Sequence, residues 1–114
     1  MKKDAKVFLS HILESIEKIE EFTKDMSKET FMSTALTQDA VIRRLEIIGE
    51  ATKNIPDEFA KKYRDVPWSE MSRMRDKLIH KYFGVDFELA WDVVKADLPV
   101  LKKKIKSILE ELEK

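Results

Sequence analysis

The 114-residue chain contains no cysteine, which excludes a disulfide framework, a thiolate metal site and a cysteine nucleophile, and suits a reducing compartment. Two glycines and three prolines are too few for a turn-rich β fold. No charge sign dominates: 22 basic and 22 acidic residues give a formal net charge of zero. No global field therefore draws the chain to nucleic acid or to an anionic membrane, and any affinity for RNA must come from a local patch. Long apolar runs are also missing. The stretch MKKDAKVFLSHILESIEKIEE interrupts every hydrophobic run with charge, so neither a signal-peptide core nor a membrane span is expected, and the expectation is a cytoplasmic protein. No glycine-rich phosphate loop and no serine-centred nucleophile motif is found. His11 and His80 are the only histidines and lie far apart in sequence, so no metal or other cofactor is expected.

What is present, 43% hydrophobic and 39% charged residues, is the composition of packed amphipathic helices. The expectation is an all-α fold in a single domain over residues 1–114, a compact antiparallel bundle of four to five main helices. Phe8, Ile12, Ile16 and Ile19 fall on one face of a first helix from about Asp4 to Thr23. Residues 24–36 read as a connection with one helical turn near Glu29 to Ser33. Thr37 is a candidate cap for a second long helix with Val41, Leu45, Ile48 and Ile55 as its buried stripe, ended by Pro56. Gly49 inside it costs about 1 kcal/mol relative to Ala, which predicts the close approach of another backbone. A short helix follows over Asp57 to Tyr63. Pro67 then introduces a third long helix through MSRMRDKLIHKYF, closed by Gly84 as a left-handed C-cap. Asp86 caps a fourth helix, Phe87 to Ala96, with Leu89, Trp91 and Val93 buried, and Asp97-Leu98-Pro99 opens a fifth. In that last helix Lys102, Lys103 and Lys104, followed by Glu110, Glu111 and Glu113, read as a solvated face with ion pairs along the helix.

The third helix holds the candidate chemistry. Met71, Leu78 and Tyr82 share a stripe on a regular helical wheel, and Arg75 falls in its middle. A guanidinium facing a core needs an anion or a cleft, because it cannot lose its proton. Glu46 and Glu50 are candidate structural anions, a phosphate ligand is the functional alternative, and burial at a subunit interface is a third. Asp76 and His80 stand at i and i+4, where a carboxylate can fix an imidazole tautomer for acid or base work. His80 is about 140° and about 7.5 Å from Arg75 on such a helix, so a two-fold related copy is one way to bring both groups to a single atom. Arg73, Lys77 and Lys81 form a basic strip that could track an RNA backbone.

The segment Arg75 to Tyr82, RDKLIHKY, resembles the R-x4-H-x-Y motif of HepT-like toxins in the HEPN superfamily. The likeness extends to Arg44 through Ala51, the Val66-Pro67-Trp68 turn, Tyr82 through Asp86, and Trp91 through Pro99. It implies a HEPN-like helical two-fold homodimer that cuts RNA without metal. Arg75 would clamp the scissile phosphate, and His80 would move a proton at the ribose 2′-hydroxyl or the leaving 5′-oxygen, giving a 2′,3′-cyclic phosphate and a 5′-hydroxyl. Asp76 stands where close relatives carry Asn. The resemblance further implies a cognate nucleotidyltransferase antitoxin that adenylylates Tyr82. Two rival readings remain: a non-catalytic helical subunit that binds nucleotide for a nucleotidyltransferase, and a dimeric structural module that buries Arg75.

Overall fold

A computed structural model describes residues 4–80 and 84–114 of the chain. Helix α1 (Ala5–Thr23) begins where the Asp4 carboxylate accepts the Lys6 N–H, and buries Phe8, Ile12, Ile16 and Ile19 as its spacing predicts. It packs chiefly on α3 (Ala35–Lys53), whose Val41, Leu45 and Ile48 are likewise buried, as is Ile55 just beyond the helix end. The third long helix, α8 (Leu98–Leu112), lies against α1 and adds Leu101, Ile105 and Ile108 to the same core. Two ion pairs fix its direction. Lys6 meets Glu113 at 3.7 Å and Lys102 meets Glu20 at 2.8 Å, so the start of α1 faces the end of α8 and the two run antiparallel. Each buried Ile or Leu contributes roughly 1.5–3 kcal/mol, so these three stripes dominate the stability of the fold.

The lysine run differs from the expected solvated face. Glu20 accepts a hydrogen bond from the Lys102 ammonium and holds its pKa above the ordinary lysine range, while Lys104 donates to the Asp65 carbonyl at 2.6 Å. Lys102 and Lys104 therefore tie α8 to other elements rather than to its own glutamates, while Lys103 is exposed as expected.

Short helices fill the gaps. In α2 (Lys28–Met32) the Ser27 hydroxyl accepts the Thr30 N–H, and Phe31 stacks on Trp91 at 5.1 Å between ring centroids. Helix α3 starts one turn before Thr37: the Thr34 carbonyl already accepts the Gln38 N–H at 3.0 Å, and the Thr34 hydroxyl turns back to the Thr30 carbonyl. Helix α4 (Asp57–Lys62) follows Pro56 as expected.

The largest departure concerns the helix expected through MSRMRDKLIHKYF. In its place stand two short ones, α5 (Trp68–Ser72) and α6 (Met74–Leu78), separated at Arg73, where φ is −100° and ψ 16°. There the Arg73 N–H turns to the Glu70 and Met71 carbonyls, and the Ser72 hydroxyl and Arg73 Nε both donate to the Ser69 carbonyl, so side chains compete with the helical ladder. After Leu78 the chain turns extended: β1 (Ile79–His80) pairs antiparallel with β2 (Gly84–Val85), Ile79 opposite Val85 and His80 opposite Gly84. Gly84 does take a positive φ, +80°, but as a strand residue of this hairpin and not as a helix cap. Lys81, Tyr82 and Phe83 lie outside the described residues.

The Asp86 carboxylate caps α7 (Phe87–Asp92) through the Leu89 N–H, burying Trp91; Leu89 itself is half-buried. No new helix starts at Asp97. Residues Val93–Asp97 form a π-helical turn, in which the Leu98 N–H bonds to the Val93 carbonyl, and this turn runs straight into α8. A regular α ladder would bring the Pro99 ring against the Lys95 carbonyl, and the wider turn ahead of it relieves that clash.

Candidate active site

Gly49 explains how the α5–α6 unit is placed. A Cβ there would stand 3.2 Å from the Met71 carbonyl and 3.6 Å from the Met74 Cβ, so its absence lets the backbone of α5 rest on α3. The close approach predicted from an isolated helical glycine is thus present. Met71, Met74 and Leu78 then face the core, Trp68 packs half-buried at its edge, and Arg75, Asp76 and Lys77 of α6 are exposed.

Arg75 lies on the outward side. Its side chain is 61% exposed, and Nε donates to Glu46 Oε2 of α3 at 3.3 Å. The carboxylate partner is one of the two that the sequence suggests, whereas the expected burial is absent within the single chain. The other four guanidinium N–H donors have no hydrogen-bond partner among the described residues. Arg75 is therefore anchored at one edge and open at the other.

His80 is exposed on β1. Because α6 ends at Leu78, Asp76 and His80 are not one helical turn apart, and no hydrogen bond or ion pair joins them among the described residues. The wheel relation that ties Arg75 to His80 lapses for the same reason. Tyr82 and Lys81, the expected modification site and the last member of the basic strip, fall outside the described residues. Arg73 and Lys77 remain, exposed, and share a shallow groove with Glu70 and Asp76. Its mixed charge makes it a weaker RNA track than a purely basic strip.

The hairpin was legible in principle. Ile79, Tyr82, Phe83 and Val85 are strand-favouring residues around Gly84, a signal overridden by the helical spacing upstream. Among the described residues no group of three or more His, Asp or Glu side chains is placed to hold a metal ion, and His11 stands alone with its ring edge-on to Phe8.

Comparison with known proteins places this site in context. A family model described as "Ribonuclease HepT-like" matches residues 12–108. A Methanocaldococcus jannaschii protein named "Gamma-glutamylcyclotransferase and putative RNase" is 60% identical over all 114 residues, and the chain spans 51% of its length. A Thermococcus cleftensis protein named "Probable ribonuclease HepT" is 54% identical over 108 residues, covering 95% of this chain and 98% of that relative. A second M. jannaschii protein, named "Putative RNase", is 49% identical over 112 residues, 98% of this chain and 93% of its own. No solved structure matches the chain. The match along most of the chain establishes that this protein belongs to the HepT-like ribonuclease family.

Proposed function

We propose that the chain is a metal-independent endoribonuclease that acts as a two-fold homodimer, the toxin of a toxin–antitoxin pair, silenced when a nucleotidyltransferase antitoxin adenylylates Tyr82. It works in the cytoplasm as a single domain, and among the described residues no helix is long and apolar enough to cross a membrane.

The observation that carries this reading is the half-satisfied guanidinium of Arg75, fixed at Nε and open at its terminal nitrogens. Such an edge matches two phosphate oxygens and offsets the charge that grows on them in a phosphoryl-transfer transition state. The ribose 2′-oxygen attacks phosphorus, the bond to the 5′-oxygen breaks, and one proton passes in net from the 2′-oxygen to the 5′-oxygen. His80 serves that transfer, since imidazole is the side chain best suited to both giving and taking a proton near neutral pH. Products carry a 2′,3′-cyclic phosphate and a 5′-hydroxyl. In one chain both groups face solvent, whereas these charge effects strengthen when water is excluded; a second copy supplies that cover. Arg73, Lys77 and Lys81 add phosphate contacts along the strand, and Asp76 stands beside them.

The test is incubation of unmodified protein with single-stranded RNA and tRNA in excess EDTA, beside Arg75→Ala and His80→Ala. Cleavage with cyclic-phosphate ends should fall at least about 100-fold in each variant. Cleavage that survives in His80→Ala removes the proton-transfer role. No cleavage by any form, with Tyr82 shown unmodified by mass spectrometry, overturns the enzymatic reading in favour of a nucleotide-binding subunit.

A further inference from the structure

We propose that Glu46 is the positioning residue of the site: its carboxylate holds the Nε edge of Arg75 so that the terminal nitrogens point outward to receive a phosphate. The inference rests on the ribonuclease reading above.

The contact joins α3 to α6, and is single-pronged. Nε donates to Oε2 at 3.3 Å, and no second guanidinium nitrogen is engaged among the described residues. A carboxylate that took both Nη groups would occupy the edge a phosphate needs; one that takes Nε leaves that edge open. The two partners also differ in exposure. The Glu46 side chain is 27% exposed and that of Arg75 61% exposed, so the acid is the fixed member of the pair and the base the one presented to solvent. The acid is fixed because it sits mid-helix, three residues before Gly49, where α3 touches the Met71 backbone. The packing that seats α5 and α6 on α3 therefore also sets the distance from carboxylate to guanidinium. A surface ion pair of this kind adds little to stability, so its value lies in orientation. Holding a long side chain in one geometry before substrate arrives lowers the entropy lost in reaching the transition state.

The test compares Glu46→Ala and Glu46→Gln with the wild type in RNA cleavage kinetics, thermal melting and the 15Nε–1H signal of Arg75, assigned with Arg75→Lys. The amide oxygen of Gln keeps an acceptor at the same place. Glu46→Ala should lower kcat tenfold or more while KM for RNA stays within about threefold; Glu46→Gln should retain kcat within about threefold. The Nε–H should be protected from exchange in the wild type and in Glu46→Gln, and lost in Glu46→Ala. Melting within a few degrees of wild type separates this loss from unfolding. Undiminished kcat in Glu46→Ala, or a Gln variant as slow as the Ala one, overturns the proposal. If the wild type cuts no RNA, the ribonuclease reading fails on its own account. The exchange measurement still decides the hold on Arg75: an Nε–H equally labile in wild type and Glu46→Ala refutes it.

Discussion

Asp76 shows how a single residue's meaning depends on where its helix stops. Four positions before His80 on a continuous helix, it reads as an orienting carboxylate; with α6 ended at Leu78 it is an exposed anion beside Arg73 and Lys77. The two roles carry opposite signs. An anion near the path of an RNA backbone repels phosphate, so Asp76→Asn should tighten RNA binding about two- to fivefold at low salt, an effect that fades as the Debye length shrinks from about 30 Å at 0.01 M to about 3 Å at 1 M. A carboxylate that fixed the His80 tautomer would instead be missed in kcat. Binding titrations at two ionic strengths, with single-turnover cleavage beside them, separate the cases: a tenfold fall in rate with unchanged affinity would restore the orienting role.

At the scale of elements, Gly49 couples packing to the site. Val in its place puts a branched side chain against the Met71 carbonyl and Met74 Cβ, and overpacking of this kind costs about 1–3 kcal/mol, a fall of several degrees in Tm for a domain of this size. The displaced α6 should also pull Arg75 from Glu46 and slow cleavage; a Gly49→Val variant that melts and cuts like wild type would show that the contact is slack. The same elements mark what the sequence discloses. Stripes such as Phe8-Ile12-Ile16-Ile19 are legible because each is long and repeats one period, so its burial does not depend on what the rest of the chain does. Arg75, His80 and the Glu46 partner are legible as residue types. The break at Arg73 and the hairpin after Leu78 are not, because both arise where local hydrogen bonds and a neighbouring backbone outweigh a helical period that continues on paper. The sequence thus names candidate residues, while the continuous helix that would relate Arg75 and Asp76 to His80 is absent. For the same reason the join of α7 to α8 through a π turn hides behind an Asp-Leu-Pro start pattern.

At the scale of the whole molecule, the proposed two-fold dimer raises the question of which chain's His80 would serve which chain's Arg75. In one chain the two sit on different elements, both exposed, so the groups proposed to meet at one phosphate are not forced together by the fold of a single copy. A two-fold dimer has two ways to pair them, within each chain or across the interface, and mixing inactive variants tells them apart. When Arg75→Ala and His80→Ala chains exchange freely, half of the dimers carry one of each. Pairing within a chain leaves both sites of such a dimer broken. Pairing across the interface puts both lesions in one site and leaves the other whole, so the mixture should recover about a quarter of wild-type activity. We expect that recovery, measured after the two variants are mixed, with subunit exchange confirmed by native mass spectrometry. Activity that stays at the level of the separate variants despite confirmed exchange would place Arg75 and His80 of one site in the same chain. The hairpin would then have to turn His80 toward α6 when RNA binds.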